Sequence, residues 1–76
     1  MITVKYFASL REQIGRAQDR IHADGAATVR EAWIQATGED ELPEHLLMAV
    51  NLEYAGPDAP VRDGDEVAFF PPVTGG

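Results

Sequence analysis

The first residues of the chain alternate between apolar and polar positions. Ile2, Val4 and Tyr6 fall on one side of this period-2 pattern, with polar residues between them. The period is typical of a strand that is buried on one face, so residues 2–7 are predicted to form a strand. Phe7 would then lie on the opposite face, which indicates that a second element or a partner covers part of that face.

A short helix is predicted directly after this strand. Within residues 8–14, Leu10 and Ile14 are four positions apart and would share one helix face. Ser9 is a candidate N-cap, and Gly15 is a natural stop. The segment is therefore interpreted as a helical connector with one apolar stripe.

The clearest helix begins at Thr28. Thr28 and Glu31 have the spacing of a capping box, in which the hydroxyl and the carboxylate accept hydrogen bonds from exposed N–H groups at the helix start. Gly38 supplies a stop. The apolar stripe at helical spacing consists of Val29, Ala32, Trp33 and Ala36. This position favours a core role for Trp33 over the alternative of a stacking platform for a base or cofactor.

The remaining apolar runs predict four further strands. A weaker alternation marks residues 18–23, and short runs bounded by turn residues mark residues 46–50, 52–55 and 66–70. The order of elements is that of an α+β roll, with a mixed sheet of about five strands curled over one main helix and a short helix. This arrangement resembles the ubiquitin-like β-grasp fold, in which the last strand would be held centrally by its neighbours.

Length and composition limit the class of protein. Seventy-six residues, of which 45% are hydrophobic, suffice for one small domain, predicted to span residues 1–76 with a flexible tail at 71–76. The sequence has no Cys, which excludes disulfides and thiolate metal sites. Its two histidines are far apart and lack further ligands at suitable spacing, so no metal site is expected.

The charge balance is acidic, with 13 Asp and Glu against 6 Lys and Arg and a formal net charge of −7. Such a surface repels phosphate backbones and anionic lipids, so neither nucleic acid nor a membrane is an expected partner. Proteins with basic or apolar docking surfaces are expected instead. The N-terminal segment lacks the continuous apolar run of a signal peptide, and no later segment could span a membrane, which predicts a cytoplasmic protein.

The final residues predict an extended tail after the last strand. Pro71 and Pro72 fix φ and disfavour a helix before them, which would hold the base of the tail away from the body. Gly75 and Gly76 carry no side chain, so they could enter a channel too narrow for any other residue, with a free carboxylate at its far end. The alternative for a Gly-Gly ending is an ordinary frayed terminus.

Three stretches carry a resemblance to a known family. They are residues 6–12 with Gly15, residues 49–54 and residues 63–76, and the third, with the sequence DGDEVAFFPPVTGG, is the most specific. On these residues the chain resembles the small subunits of molybdopterin synthase, the sulfur carriers of molybdenum cofactor biosynthesis. The likeness weakens in residues 17–46, where the interpretation rests on periodicity.

The resemblance implies a sulfur-transfer role for the tail. An ATP-using activating enzyme, similar to the ubiquitin-activating enzymes, would adenylate Gly76. Sulfur from a sulfurtransferase donor would then replace one carboxylate oxygen, which gives a C-terminal thiocarboxylate. The loaded tail would enter the active site of the large subunit, in an assembly of two small and two large subunits, where two successive carriers give sulfur to a cyclic pterin phosphate. The residues of the tail implied to insert are Pro71, Pro72, Val73, Thr74 and Gly75.

The implied chemistry needs no catalytic side chain in this chain. A carboxylate is a poor electrophile, so ATP must form an acyl adenylate before a sulfur nucleophile can displace AMP. The thiocarboxylate that results is ionised at neutral pH and nucleophilic through sulfur. The catalytic groups are expected in the partners, and this chain, which would bind no cofactor itself, would act as a co-substrate.

Three residues are candidates for docking beside the tail. Phe7, Phe69 and Phe70 each have two interpretations, as core filler or as part of an apolar docking patch. The core is favoured for Phe69 and the surface for Phe70. Arg11, in the first stretch of the resemblance, could form an ion pair across an interface, and the alternative is an ordinary exposed charge.

Three rival functions share parts of this pattern. A sulfur carrier for thiamin thiazole synthesis has the same fold and the same Gly-Gly ending, although the context PPVTGG with GDEVAFF argues against it. A ubiquitin-like modifier would use the same acyl adenylate to form isopeptide bonds with lysines of other proteins. A binding domain whose tail has no chemistry is the third alternative.

Overall fold

The computed structural model describes residues 1–72, which form five strands and two α-helices in the predicted order. The elements are β1 (Ile2–Tyr6), α1 (Ala8–Ile14), β2 (Gln18–Ile21), a 3₁₀ turn (Ala23–Gly25), α2 (Val29–Thr37), β3 (Leu47–Val50), β4 (Glu53–Tyr54) and β5 (Glu66–Phe70). Most of the predicted tail lies outside the described residues, namely Val73, Thr74, Gly75 and Gly76.

The five strands join one mixed sheet in the order β2-β1-β5-β3-β4. β1 and β5 run parallel, with Tyr6 beside Phe69, and the other neighbouring pairs are antiparallel. β5 is therefore held by β1 on one side and by β3 on the other. The predicted α+β fold, with a mixed sheet and a centrally held last strand, is confirmed.

One side of the sheet, the inner face, carries the core and is covered by α2. The ring centroid of Trp33 lies 4.9 Å from that of Phe69 and 6.2 Å from that of Tyr6, both in edge-to-face arrangements. The indole N–H of Trp33 donates to the backbone oxygen of Glu41 at 3.0 Å, so its polar atom is satisfied. Trp33 is 2% exposed, which confirms its predicted core role. The same core includes Ile2, Val4, Val29, Ala32 and Val67.

The two helices begin in different ways. At α2, Thr28 Oγ1 accepts from the N–H of Glu31 at 3.2 Å, which confirms Thr28 as the predicted cap. Glu31 Oε1 accepts from the N–H of Ala27, one residue before the cap, at 2.7 Å, so the carboxylate bond of the predicted capping box is shifted by one residue. At α1 the expectation of Ser9 as N-cap is wrong. Phe7 takes that position and makes no capping hydrogen bond through its side chain.

β1 ends at Tyr6, one residue earlier than predicted, and is followed by Phe7. Its backbone is extended, and its N–H still donates to the backbone oxygen of Phe69 at 3.1 Å. Ala8 then adopts a φ of 55°, which turns the chain sharply into α1. A period-2 pattern carries no signal for such a turn, because the turn depends on one backbone angle rather than on alternation.

Within residues 1–72, neither α-helix has the length and apolar character needed to cross a membrane. The same part of the chain contains no group of three His, Cys, Asp or Glu side chains placed to hold a metal ion.

Candidate functional site

The side of the sheet away from α2, the outer face, carries large apolar side chains that are open to solvent. Phe7 is 46% exposed, Tyr54 is 78% exposed and Leu52 is 89% exposed. The helices bury their own apolar residues, such as Leu10 and Trp33, in the core on the inner face. Large apolar side chains grouped on a surface in this way mark a contact site for another molecule.

The strand register arranges the outer face in two rows. In the row at the end of β5, Phe70 pairs with Leu47 of β3, and Phe7 stands on the other side, after β1. In the next row, successive partners across four strands are Lys5, Ala68, Ala49 and Tyr54. Because alanine side chains are short, the two alanines lie lower than the aromatic rings around them.

These rows enclose a shallow outer-face groove of about 260 Å³. Its floor is the alanine pair, and the rings of Tyr54 and Phe70 stand on one side with their centroids 5.9 Å apart. The residues that line the outer-face groove are Phe7, Ala49, Leu52, Tyr54, Ala68 and Phe70. A groove of this composition suits an apolar side chain of a partner protein.

The outer face changes from apolar to charged along β5. Glu66 begins the strand and forms an ion pair with Lys5 at 3.1 Å, with both side chains about one-third exposed, and Phe70 ends the strand beside the groove. Glu53 is exposed next to Tyr54. Given the net charge of −7, a partner with basic groups around an apolar patch would complement this face.

The turn between β3 and β4 is tied to the start of β5. Asn51 Nδ2 donates to Asp65 Oδ1 at 2.9 Å, and Asn51 Oδ1 accepts from the N–H of Glu66 at 3.0 Å. Asp65 Oδ2 also accepts from the N–H of Arg62 at 2.8 Å. The hydrogen bond from Asn51, with that from Arg62, holds the pKa of Asp65 below its ordinary value. This network holds the turn that carries Leu52, one of the residues that line the outer-face groove.

β5 leads the chain out of the sheet at the groove. Pro71 is half-buried and Pro72 is exposed, and neither belongs to a helix or strand. Because β5 is paired on both sides, the base of the tail has a fixed position relative to the outer-face groove. Of the residues predicted to insert, Val73, Thr74 and Gly75 lie outside the described residues, as does Gly76, the residue predicted to carry the sulfur. The insertion of the tail, including Pro71 and Pro72, and the role of Gly76 stay predictions.

The structure brings two of the three predicted docking residues together. Phe7 and Phe70 line one groove, whereas Phe69 is fully buried on the inner face, in line with its predicted core position. Arg11 is exposed on α1 and forms no ion pair with residues 1–72. Its role at an interface stays a prediction.

Sequence reasoning missed the contribution of β4 and its turn. The sequence pattern places Leu52 and Tyr54 only in a short strand, yet they are the most exposed large apolar residues of the described chain. The hairpin itself could have indicated this role. With Asn51 and Leu52 as a two-residue turn, Tyr54 pairs with Ala49 and lies on the same face of the sheet.

Comparison with known sequences gives a consistent set of relatives. The sequence model of the ThiS family matches residues 4–76. The chain is 40% identical over 85 residues to the molybdopterin synthase sulfur carrier subunit of Escherichia coli K12, with all of both chains covered. It is also 36% identical over 84 residues to small archaeal modifier protein 1 of Haloferax volcanii, which covers 95% of this chain and 97% of that protein.

Solved structures extend the same relationship to the fold. The crystal structure of small archaeal modifier protein 1 from Haloferax volcanii matches with a TM-score of 0.78 at 36% identity, covering 99% of this chain and 98% of that one. The crystal structure of a BexX/CysO complex from Amycolatopsis orientalis includes a chain that matches with a TM-score of 0.70 at 28% identity, with all of both chains covered. These neighbours confirm the ubiquitin-like β-grasp fold.

Proposed function

This chain belongs to the ThiS family and is a sulfur carrier of that type, and from this premise we propose that it is the small subunit of a molybdopterin synthase that carries sulfur on the carboxyl group of Gly76. The observation that supports the proposal most directly is the position of β5. This strand is paired on both sides and leads into Pro71 and Pro72 at the outer-face groove. A partner that receives the tail would therefore face the groove.

The proposed loading takes place in two steps. A carboxylate oxygen of Gly76 attacks the α-phosphorus of ATP, which releases pyrophosphate and leaves an acyl adenylate. Hydrosulfide supplied by a sulfurtransferase donor then adds to the carbonyl carbon, AMP leaves as the carbonyl re-forms, and the S–H proton is lost. The product is a thiocarboxylate, whose polarizable sulfur is the nucleophile in the next reaction. ATP is bound by the adenylating enzyme in this scheme.

The proposed delivery uses the tail and the outer-face groove together. Residues Pro71 to Gly75 insert into the active site of the large subunit, where the sulfur on Gly76 bonds to a carbon of a cyclic pterin phosphate. Water then cleaves the acyl–sulfur bond, which leaves the sulfur on the pterin and restores the Gly76 carboxylate. Phe7 and Phe70 contact the large subunit beside the entrance, and Arg11 pairs with an acidic group on it. Each dithiolene takes sulfur from two successive carriers, and the proposed assembly contains two small and two large subunits. The neighbour solved as a BexX/CysO complex supports the general idea that this fold docks on a partner protein.

Intact mass spectrometry tests the loading step. The chain is incubated with ATP, the adenylating enzyme and a sulfur donor, and its mass is expected to rise by the difference between sulfur and oxygen. The matched control lacks Gly76 and is expected to keep the fold, because an end residue beyond the paired strand adds little to stability. An unchanged mass of the full chain, with the same enzymes active on another carrier, would contradict the proposal.

Complementation tests the pathway. The chain is expected to restore molybdoenzyme activity in a strain that lacks its own carrier, whereas the chain without Gly76 is not. Rescue of a thiamin-requiring strain, without rescue of molybdoenzyme activity, would assign the chain to thiazole synthesis instead.

A second candidate, protein modification, is favoured by the identity to small archaeal modifier protein 1. Its mark would be isopeptide adducts that survive on denaturing gels. Lys5 is the single lysine of the chain, so a Lys5→Arg variant removes its own ε-amine as an acceptor. Adducts that persist in this variant would support modification of other proteins, and their absence with the adenylating enzyme active would leave sulfur transport as the function.

A further inference from the structure

Backbone strain in the described chain is concentrated around the outer-face groove. Among residues 1–72, the non-glycine residues with positive φ are Ala8 at 55°, Asn51 at 50° and Leu52 at 72°. Ala8 follows Phe7, and the other two form the turn between β3 and β4. Side chains rarely adopt this conformation, and where it persists the surroundings hold it in place, often at a functional site.

The two residues of the turn differ in how well they fit it. A two-residue hairpin turn with positive φ at both positions favours Asn followed by Gly. Asn51 suits the first position, and its side chain and backbone tie it to Asp65 and Glu66, with its N–H donating to the backbone oxygen of Glu66 at 2.8 Å. Leu52 occupies the position that favours Gly, and its side chain is 89% exposed.

Leu52 therefore destabilises the isolated chain in two ways. Its backbone is strained by the Cβ atom, and its apolar side chain is left in water. A Gly at this position would remove both costs. The side chain lines the outer-face groove beside Tyr54, so a molecule docked in the groove would cover it.

We infer that Leu52 is an anchor residue that inserts into an apolar pocket on the protein that receives the tail, and that the pocket has a basic rim. This inference rests on the proposed function, in which that protein is the large subunit of the synthase. Continuity with the tail selects this occupant, because Phe70 lines the same groove and leads directly into Pro71. The neighbouring Glu53, which is exposed, and the net charge of −7 call for the basic rim.

The test uses the full chain and the recombinant large subunit from the same organism. In a Leu52→Gly variant, the Tm is expected to rise by a few degrees, because relief of strain at positive φ stabilises a small domain. The Kd for the large subunit, measured by calorimetry, is expected to rise about tenfold or more, as for loss of an anchor side chain. A structural role alone would not raise stability and weaken binding together.

A Leu52→Met variant is the matched control, because it keeps both the Cβ atom and an apolar side chain, and it is expected to behave like the wild type. An unchanged Kd for Leu52→Gly, or a lowered Tm, would overturn the inference. Loss of self-association in Leu52→Gly with an unchanged Kd would identify a second copy of this chain as the occupant and would also overturn it. Intact mass spectrometry of both variants separates the two proposals. If both still form the thiocarboxylate while the Kd is unchanged, this inference fails and the proposed function stands, whereas absence of the thiocarboxylate in the wild type as well would count against the proposed function.

Discussion

At the scale of single residues, Tyr6 joins three elements through one polar network. Its hydroxyl donates to Asp19 Oδ2 at 2.7 Å, which links β1 to β2. Arg16 Nε donates to Asp19 at 2.7 Å, and Arg16 Nη2 donates to the backbone oxygen of Ala36 at 3.0 Å, which links the network to α2. Burial, together with the hydrogen bond to Asp19, raises the pKa of Tyr6.

Removal of this hydroxyl tests the network. Tyr6→Phe is expected to lower the free energy of unfolding at pH 7 by about 1 kcal/mol, because it leaves Asp19 with one hydrogen bond fewer. Since the folded state favours neutral Tyr6, its contribution to stability is complete below the ordinary tyrosine pKa of about 10 and is lost as pH rises above it. Urea denaturation at pH 7 measures the loss of the hydrogen bond, and urea denaturation above the ordinary tyrosine pKa measures the loss of stability on ionisation. Tyr54→Phe, on an exposed ring, is the control, and an equal loss in it would refute the role given to Tyr6.

Asp65 makes the stability of the fold depend on pH in the opposite direction to Tyr6, with the loss at acid pH. Its pKa is lowered by the amide of Asn51 and the N–H of Arg62, so the folded state favours the ionised carboxylate. Its contribution to stability is therefore present above the ordinary Asp pKa of about 3.9 and is lost as pH falls below that value. We expect Asp65→Asn to be less stable than the wild type at pH 7 and to lose less stability between pH 7 and acid. Parallel stability curves for the two proteins would argue against this explanation.

At the scale of elements, the two helices differ in the source of their stability. α2 has a side-chain cap from Thr28 at its start, and its left-handed Gly38 donates an N–H to the backbone oxygen of Ile34 at 2.9 Å at its end. α1 has a similar end at Gly15 but no side-chain cap at its start. We conclude that α1 depends on its packing through Leu10, whereas α2 is also specified locally.

Matched alanine substitutions test this difference. Thr28→Ala is expected to lower the free energy of unfolding by about 1 kcal/mol, because it leaves the N–H of Glu31 without its partner. Ser9→Ala, at the position that sequence alone favoured as a cap, is expected to change it by less than about 0.5 kcal/mol. Chemical denaturation of both variants measures the effect, and the reverse order of the two would disprove the assignment of the caps.

Sequence reasoning worked where one local signal decides an element. The alternation of β1, the stripe with Trp33 and the glycines at helix ends all placed elements correctly, and the C-terminal motif identified the family. It failed at Ser9 and at Leu52, where the outcome depends on a backbone angle at Ala8 or within the turn. The outer-face groove was missed for a related reason, because it arises from register across four strands.

At the scale of the whole molecule, β5 serves both faces of the sheet. Phe69 is fully buried against Trp33 on the inner face, and the adjacent Phe70 is half-buried beside the outer-face groove. Neighbouring residues of one strand thus hold the fold together and present a surface for a partner. The same strand also carries the base of the proposed sulfur-bearing tail.

Substitution of these two neighbours is expected to separate the roles. Phe69→Ala is expected to cost about 3–5 kcal/mol of unfolding free energy, because it opens a cavity in the core. Phe70→Ala is expected to cost much less stability and to weaken binding to the proposed large-subunit partner. Thermal denaturation and calorimetry with that subunit measure the two properties. A Phe69→Leu variant keeps the comparison usable if Phe69→Ala does not fold, and similar stability losses at both positions would contradict the division of roles.

The central place of β5 also has a consequence for synthesis of the chain. β1 leaves the ribosome before the other strands of the sheet, but the strand that joins it to β3 comes more than 60 residues later. The central parallel pair therefore forms only by a contact between distant parts of the sequence, which is a slow kind of folding step. Until then β1 and β3 lack a common neighbour. We expect the sheet to be completed only after β5, the strand that leads into the tail, has been synthesised. The domain would then finish folding at the same stage of synthesis at which the tail becomes available for sulfur loading.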